Sequence, residues 1–160
     1  MADPNECCPK FNPTPWQNKE HIWKDKLFVK KDVNQIFHLP LNMGKVITEM
    51  FDKVQKAGAE TSGEEFLMLA YDPSPWKSEM YISVTKEVPN IENVKLSGKY
   101  ISKVFDGPYN AVPSWIAEFE LYLKEKNLKA LRYYFYYTTC PKCAKKYGHN
   151  YVVAFAQTEK

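Results

Sequence analysis

The sequence predicts an α+β fold, an antiparallel sheet with two helices on one face and a groove between them. Three observations carry that expectation. Met43, Val46, Ile47, Met50, Phe51 and Val54 recur at helical spacing, and so do Val112, Trp115, Ile116, Phe119, Tyr122 and Leu123. Each stripe is preceded by one strand-like stretch and followed by two. The order strand, helix, strand, strand therefore occurs twice at an offset of about 66 to 70 residues, matching Pro40 to Pro108, Tyr71 to Tyr137 and Tyr81 to Tyr151. A duplication with modules at about 32–89 and 94–158 is the simplest account.

Taken in order, residues 1–16 hold Pro4, Pro9, Pro13 and Pro15 and read as an extended arm, so 1–31 is expected to pack on a single domain, 32–160. Within the arm, 17–31 reads as a short helix and then a strand, with Ile22, Trp23, Leu27, Phe28 and Val29 apolar. Residues 33–39 alternate as a strand does. Pro40 ends it, Asn42 caps the first helix and Gly58 stops it. Strands follow at 66–71 and 79–88, separated by the turn Asp72, Pro73, Ser74, Pro75. Pro89 and Asn90 break the chain. The second set is a strand at 99–105, a turn at Gly107 and Pro108, a helix at 111–126 capped by Asn110, an aromatic strand at 131–139, a loop at 140–149 and a closing strand at 151–157.

Composition narrows the function. A chain of 160 residues with 44% hydrophobic and 26% charged residues is long enough for a core and too apolar for wholesale disorder. The 22 basic residues are mixed with 19 acidic ones, which argues against a nucleic-acid surface. Apolar runs stay far short of the ~20 residues of a membrane span. The first residues lack the pattern of a signal peptide, so a cytoplasmic location and reduced cysteines are expected. Aromatics reach 15%, with 11 Tyr, 9 Phe and 4 Trp. That exceeds what a core of this size uses, and part of the surplus is expected to meet a ligand.

The run Ser97, Gly98, Lys99, Tyr100, then Phe105, Asp106, Gly107, Pro108, Tyr109, and Trp115 in the next helix, resembles the GyrI-like small-molecule-binding domain. Cys7-Cys8-Pro9-Lys10-Phe11, Val84-Thr85-Lys86-Glu87-Val88-Pro89 and Thr138-Thr139-Cys140-Pro141-Lys142-Cys143 resemble a stand-alone bacterial subgroup often labelled hydrolases. The resemblance covers residues 32–158. It implies two related modules and a groove that takes bulky, flat, hydrophobic and often cationic xenobiotics. Relatives are ligand sensors fused to helix-turn-helix regulators, free-standing drug-binding proteins, or hydrolases that open the cyclopropane of DNA-alkylating natural products through an aromatic cage. No helix-turn-helix precedes Val33, so no nucleic-acid partner is expected. The family's sensors carry a Glu in a Phe-Glu-x-Tyr pattern that attracts cations. Aligned on Tyr137, Phe135 stands at that acidic position.

Alternation places Tyr133, Phe135 and Tyr137 on one strand face, a candidate stacking floor, and Tyr134 and Tyr136 on the other. Trp115 in the second helix, Tyr71 by its match to Tyr137, and Trp76 in its turn complete the ligand-binding candidates. Trp16 and Trp23 read as fasteners of the arm. At about 100° per residue, Glu118 falls on the helix edge shared by Trp115 and Tyr122, and Glu120 on the opposite edge beside Ile116. Glu118, with its aromatic neighbours, is the candidate catalytic acid.

Cys140 and Cys143 have metal-ligand spacing, and Cys7 with Cys8 could complete a zinc site, although structural thiols are the simpler reading and a redox role needs a helix at Cys140 that the chain does not offer. No Gly-x-Ser-x-Gly elbow or phosphate loop occurs, and His21, His38 and His149 lack partners at a telling spacing. No metal or cofactor is expected. The expected function is binding of hydrophobic aromatic compounds for cellular protection. The alternatives are a cyclopropyl hydrolase and, less directly, a zinc or thiol protein.

Overall fold

A computed structural model of the chain describes residues 12–36, 39–40, 43–61, 65–74, 76–108, 111–138, 145 and 148–160. In chain order the elements are β1 (Lys19–Ile36), β2 (Leu39–Pro40), α1 (Met43–Ala57), β3 (Met68–Ser74), β4 (Lys77–Ser83), β5 (Glu92–Asp106), α2 (Val112–Glu125), β6 (Arg132–Tyr137) and β7 (Tyr151–Glu159). Among the described residues the fold is sheet-rich with two long helices, α1 and α2, and every registered strand pair is antiparallel. Among the described residues no helix is long and apolar enough to cross a membrane. The chain forms two compact units, one of Trp23–Ser97 and one of Met1–Ile22 with Gly98–Lys160.

In the unit Trp23–Ser97 the strands lie in the order β2-β1-β4-β3. Val46, Met50 and Val54 recur every four residues along α1 and are buried, as an amphipathic helix on a sheet requires. Ile82 of β4 lines a small cavity with Phe51 and Val54 of α1, so alternation turns Ser78, Met80 and Ile82 toward that helix. Gly58, at φ 63°, ends α1 in the left-handed conformation that glycine adopts without a Cβ penalty. Asn93 holds the break at Pro89 and Asn90: its side chain accepts from Val88 N–H and donates to Val88 and Ile91 carbonyls.

The unit containing α2 has the order β6-β7-β5. Trp115, Phe119 and Leu123 are buried on Ile101, Phe105, Val152, Ala154 and Ala156. The two alanines of β7 leave room for the large helix side chains. On the other face of the sheet, Phe155 meets Trp16 at 5.9 Å and His21 at 5.7 Å. The buried Ser102 hydroxyl donates to Trp16 O at 2.6 Å, so it accepts the 2.8 Å bond from His21 Nε2–H. Trp16 thus fastens the turn before β1. Trp23 packs instead on Phe28 inside the other unit.

Several expected boundaries move. Residues 17–31 hold no helix: β1 runs unbroken from Lys19, with Phe28 and Val29 on opposite faces and both fully buried. A strand covered on both faces loses its alternation and imitates a short helix pattern. β5 begins at Glu92, seven residues before the expected 99, and β4 stops at Ser83 because Val84 N–H turns to Leu27 O and Thr85 N–H to Ala59 O. The residue before α2 is Ala111, which offers no side-chain cap; a proline in the first turn, Pro113, costs no helical hydrogen bond there. The expected caps Asn42 and Asn110, Phe37, Tyr109 and the four cysteines lie outside the described residues.

The α2 packing is directly testable. Phe119 is 0% exposed and its neighbour-but-one Leu121 is 64% exposed. Phe119→Ala should lower unfolding free energy in urea by about 3–5 kcal/mol, whereas Leu121→Ala should stay within about 0.5 kcal/mol of wild type.

Candidate functional site

The site is built on β6. Its register pairs Tyr133 with Ala156, Phe135 with Ala154 and Tyr137 with Val152, three β7 residues of the core beneath α2. Paired residues share a face, so Tyr133, Phe135 and Tyr137 form a row on the helix side of the sheet. All three are half-buried. Phe135 and Tyr137 stack on each other at 6.4 Å and 23°, and Tyr133 meets the edge of Phe119 at 5.7 Å. Trp115, also expected to touch ligand, is buried and stacked on Phe105 of β5 at 5.4 Å. Tyr134 is buried on the opposite face, 6.2 Å from Tyr100.

The two edges of α2 face different strands. Trp115 stacks on Phe105 of β5, and Lys103 Nζ of β5 lies 5.2 Å from the centre of the Tyr122 ring. The Trp115 and Tyr122 edge, with Glu118, therefore stands over β5. Phe119 meets Tyr133 of β6, and the charge of Glu120 acts on that same tyrosine. Glu120 is thus the acid of α2 beside the aromatic row and Glu118 is on the far edge, and both are exposed. Burial first, and the Glu120 carboxylate second, push the Tyr133 phenol up to about 12, so it stays protonated near neutrality. Its Oη is buried and has no hydrogen-bond partner among the described residues.

In the other unit, Tyr71 pairs with Glu79 across β3 and β4, while Ser78, Met80 and Ile82 face α1. Tyr71 is therefore on the sheet face away from α1, unlike Tyr137, which faces α2. A bulge between Tyr71 and Ser74 interrupts the register just beyond it. Glu79 is ion-paired to Lys30 Nζ at 2.5 Å, and that hydrogen bond, working against burial, raises the Lys30 pKa. Trp76 is 55% exposed at the β3–β4 turn.

The fold also supplies a partner that sequence spacing missed. β5 and β7 pair Asp106 with Tyr151, which carries His149 to Asp106, 43 positions away. Nothing local in the sequence signals that pairing. No group of three or more potential metal ligands occurs among the described residues, and the proposed thiol ligands Cys7, Cys8, Cys140 and Cys143 are not among them.

The protein family described as Bacterial hydrolase matches residues 1–158. No curated protein matches the sequence. Among solved structures, the EcmrR C-terminal domain is similar over 91% of this chain and 98% of its own, with a TM-score of 0.68 and 13% identity. An uncharacterized conserved protein from Listeria innocua is similar over 88% of this chain and 91% of its own, at a TM-score of 0.63 and 11% identity. A hydrolase from Listeria innocua is similar over 90% and 92%, at 0.62 and 9%. At such identities the likeness concerns the fold, and it fits the GyrI-like architecture expected from the sequence.

The orphaned hydroxyl gives a prediction of unusual sign. Tyr133→Phe removes a buried donor without emptying space, so stability in urea should rise by up to about 1 kcal/mol, where truncation of a satisfied tyrosine would lower it.

Proposed function

This chain belongs to the bacterial hydrolase family, and on that premise we propose that the aromatic row of β6 binds flat, hydrophobic aromatic small molecules, as a protection against xenobiotics. The observation that carries the reading is the row itself: Tyr133, Phe135 and Tyr137 side by side on the helix face and half-exposed. A flat ligand gains apolar burial there, plus roughly 0.5–1.5 kcal/mol for each well-placed ring pair. Trp115 packs in the core of the same unit, stacked on Phe105. Cations draw less support than in acid-bearing relatives of the GyrI-like type. Phe135 stands at the acidic position, and Glu120 is the acid of α2 beside the row.

A second reading, hydrolysis on the same face, is favoured by the family's description. For a cyclopropane conjugated to a carbonyl, a water oxygen attacks the ring carbon, the strained C–C bond breaks toward the carbonyl, a carboxyl group gives its proton to the resulting enolate, and the proton lost by the added water restores that carboxyl, leaving an alcohol. Position favours Glu120 over Glu118 for that proton.

A flat fluorescent dye such as ethidium should bind with micromolar or better affinity, and Phe135→Ala should weaken it about tenfold or more in a protein that still unfolds cooperatively. Unchanged affinity would remove β6 from the site. Mass spectrometry after incubation with a cyclopropane-bearing alkylator separates the two readings. Binding alone returns it intact, whereas hydrolysis adds one water, with a loss of ~10²- to 10⁴-fold in rate expected for Glu120→Gln and little loss for Glu118→Gln.

A further inference from the structure

A second constellation lies at the far end of β5 and β7. Asp106 Oδ2 is 2.7 Å from His149 Nδ1, and Asp106 Oδ1 accepts from Asn150 N–H at 2.8 Å. The Asn150 amide donates to Gly107 O at 2.6 Å, tying the turn that carries His149 to the end of β5. The imidazole lies flat on Tyr151, 10° from parallel at 5.0 Å. The ring is therefore held in position by a hydrogen bond and a stacking contact, and the carboxylate that orients it is itself anchored by the backbone. Burial disfavours the charged carboxylate, but the His149 hydrogen bond, the Asn150 N–H and the imidazole charge outweigh it and hold Asp106 below the usual carboxylate range. An ionised Asp106 accepts from Nδ1–H, which leaves the Nε2 lone pair as the base.

Two residues of this network, Asp106 and Tyr151, are also walls of a cavity of about 430 Å³. That is the lower range of small-molecule sites. Pro13, Val104 and Phe105 add apolar surface, and Thr14 and Gln17 add polar groups. Gln17 Oε1 is engaged by Val104 N–H at 2.8 Å, so its amide nitrogen is the branch left to donate. His149 and Asp106 side chains are 53% and 40% exposed, which leaves the imidazole open to a substrate.

We propose that Asp106 and His149 form a general-base dyad beside this cavity, serving hydrolysis of small aryl esters at a place separate from the β6 row. His149 Nε2 removes a proton from water as the water oxygen bonds to the ester carbonyl carbon. The tetrahedral intermediate then collapses, the bond to the aryl oxygen breaks, and the proton passes from His149 to that oxygen, giving a carboxylic acid and a phenol. Asp106 is a positioning residue that also stabilises the transient imidazolium. Gln17 is the donor available to the carbonyl oxygen.

The probes are p-nitrophenyl acetate and p-nitrophenyl butyrate, followed at steady state beyond one product per chain. Wild type is expected to turn over at least one with saturation. His149→Ala should lose about 100-fold or more in kcat/KM, and Asp106→Asn should lose kcat with KM nearly kept. Ethidium binding in the same variants serves as a folding readout independent of the dyad. His149→Gln, which keeps a donor toward Asp106 but no base, must lose the same rate if His149→Ala proves unstable. Absent or non-saturating turnover in wild type, or full turnover in a folded His149 variant, would overturn the proposal.

Discussion

The unit that carries the aromatic row depends on how closely α2 can approach its sheet. Phe119 and Leu123 are buried against β7 where that strand presents Ala154 and Ala156. Small residues there let the helix sit low, with Trp115 stacked on Phe105 of β5 and Phe119 against Tyr133 of β6. Because α2 is centred over that part of the sheet, Phe135 and Tyr137 are only half covered. The same packing that builds the core therefore leaves stacked rings at its margin, and the candidate function follows from where one helix comes to rest.

Charge is distributed consistently with that picture. Lys30 and Glu79 meet each other, Lys31 pairs with Glu49 of α1, and Asp106 is engaged by His149. Lys103 and Lys126 both lie near the ring of Tyr122, on the β5 side of α2 and its end. Among the described residues of its own unit, the row on β6 presents phenyl and phenol surface with Glu120 of α2 beside it. A surface of that kind selects for shape and apolar area before charge, and any preference for cations rests on ring faces and Glu120 together.

Much of this fold was legible because its helices are strongly patterned. Met50 and Phe119 sit at the centres of their stripes and are fully buried, and the β6 register puts Tyr133, Phe135 and Tyr137 on one face as strand geometry requires. The misreadings have physical causes. β1 is covered on both faces at Phe28 and Val29, which erases the period that identifies a strand. The side of α2 on which an acid meets the row depends on which strand lies under each helix edge, and a helical wheel supplies two edges without ranking them. Tyr71 matches Tyr137 by offset, yet strand alternation and α1 packing turn it to the other face. The approach of His149 to Asp106 is set by the register of β5 and β7, a long-range pairing that no local spacing encodes.

The central claim is that β6 presents its helix-side rings to a flat ligand. Aromatic NMR of protein with ¹³C-labelled phenylalanine and tyrosine, titrated with ethidium, tests it most directly. The account predicts that the Phe135 and Tyr137 ring signals shift in proportion to occupancy, while those of the fully buried Phe28 and Phe155 hold still. Saturable ethidium binding with Phe135 and Tyr137 unmoved would contradict it.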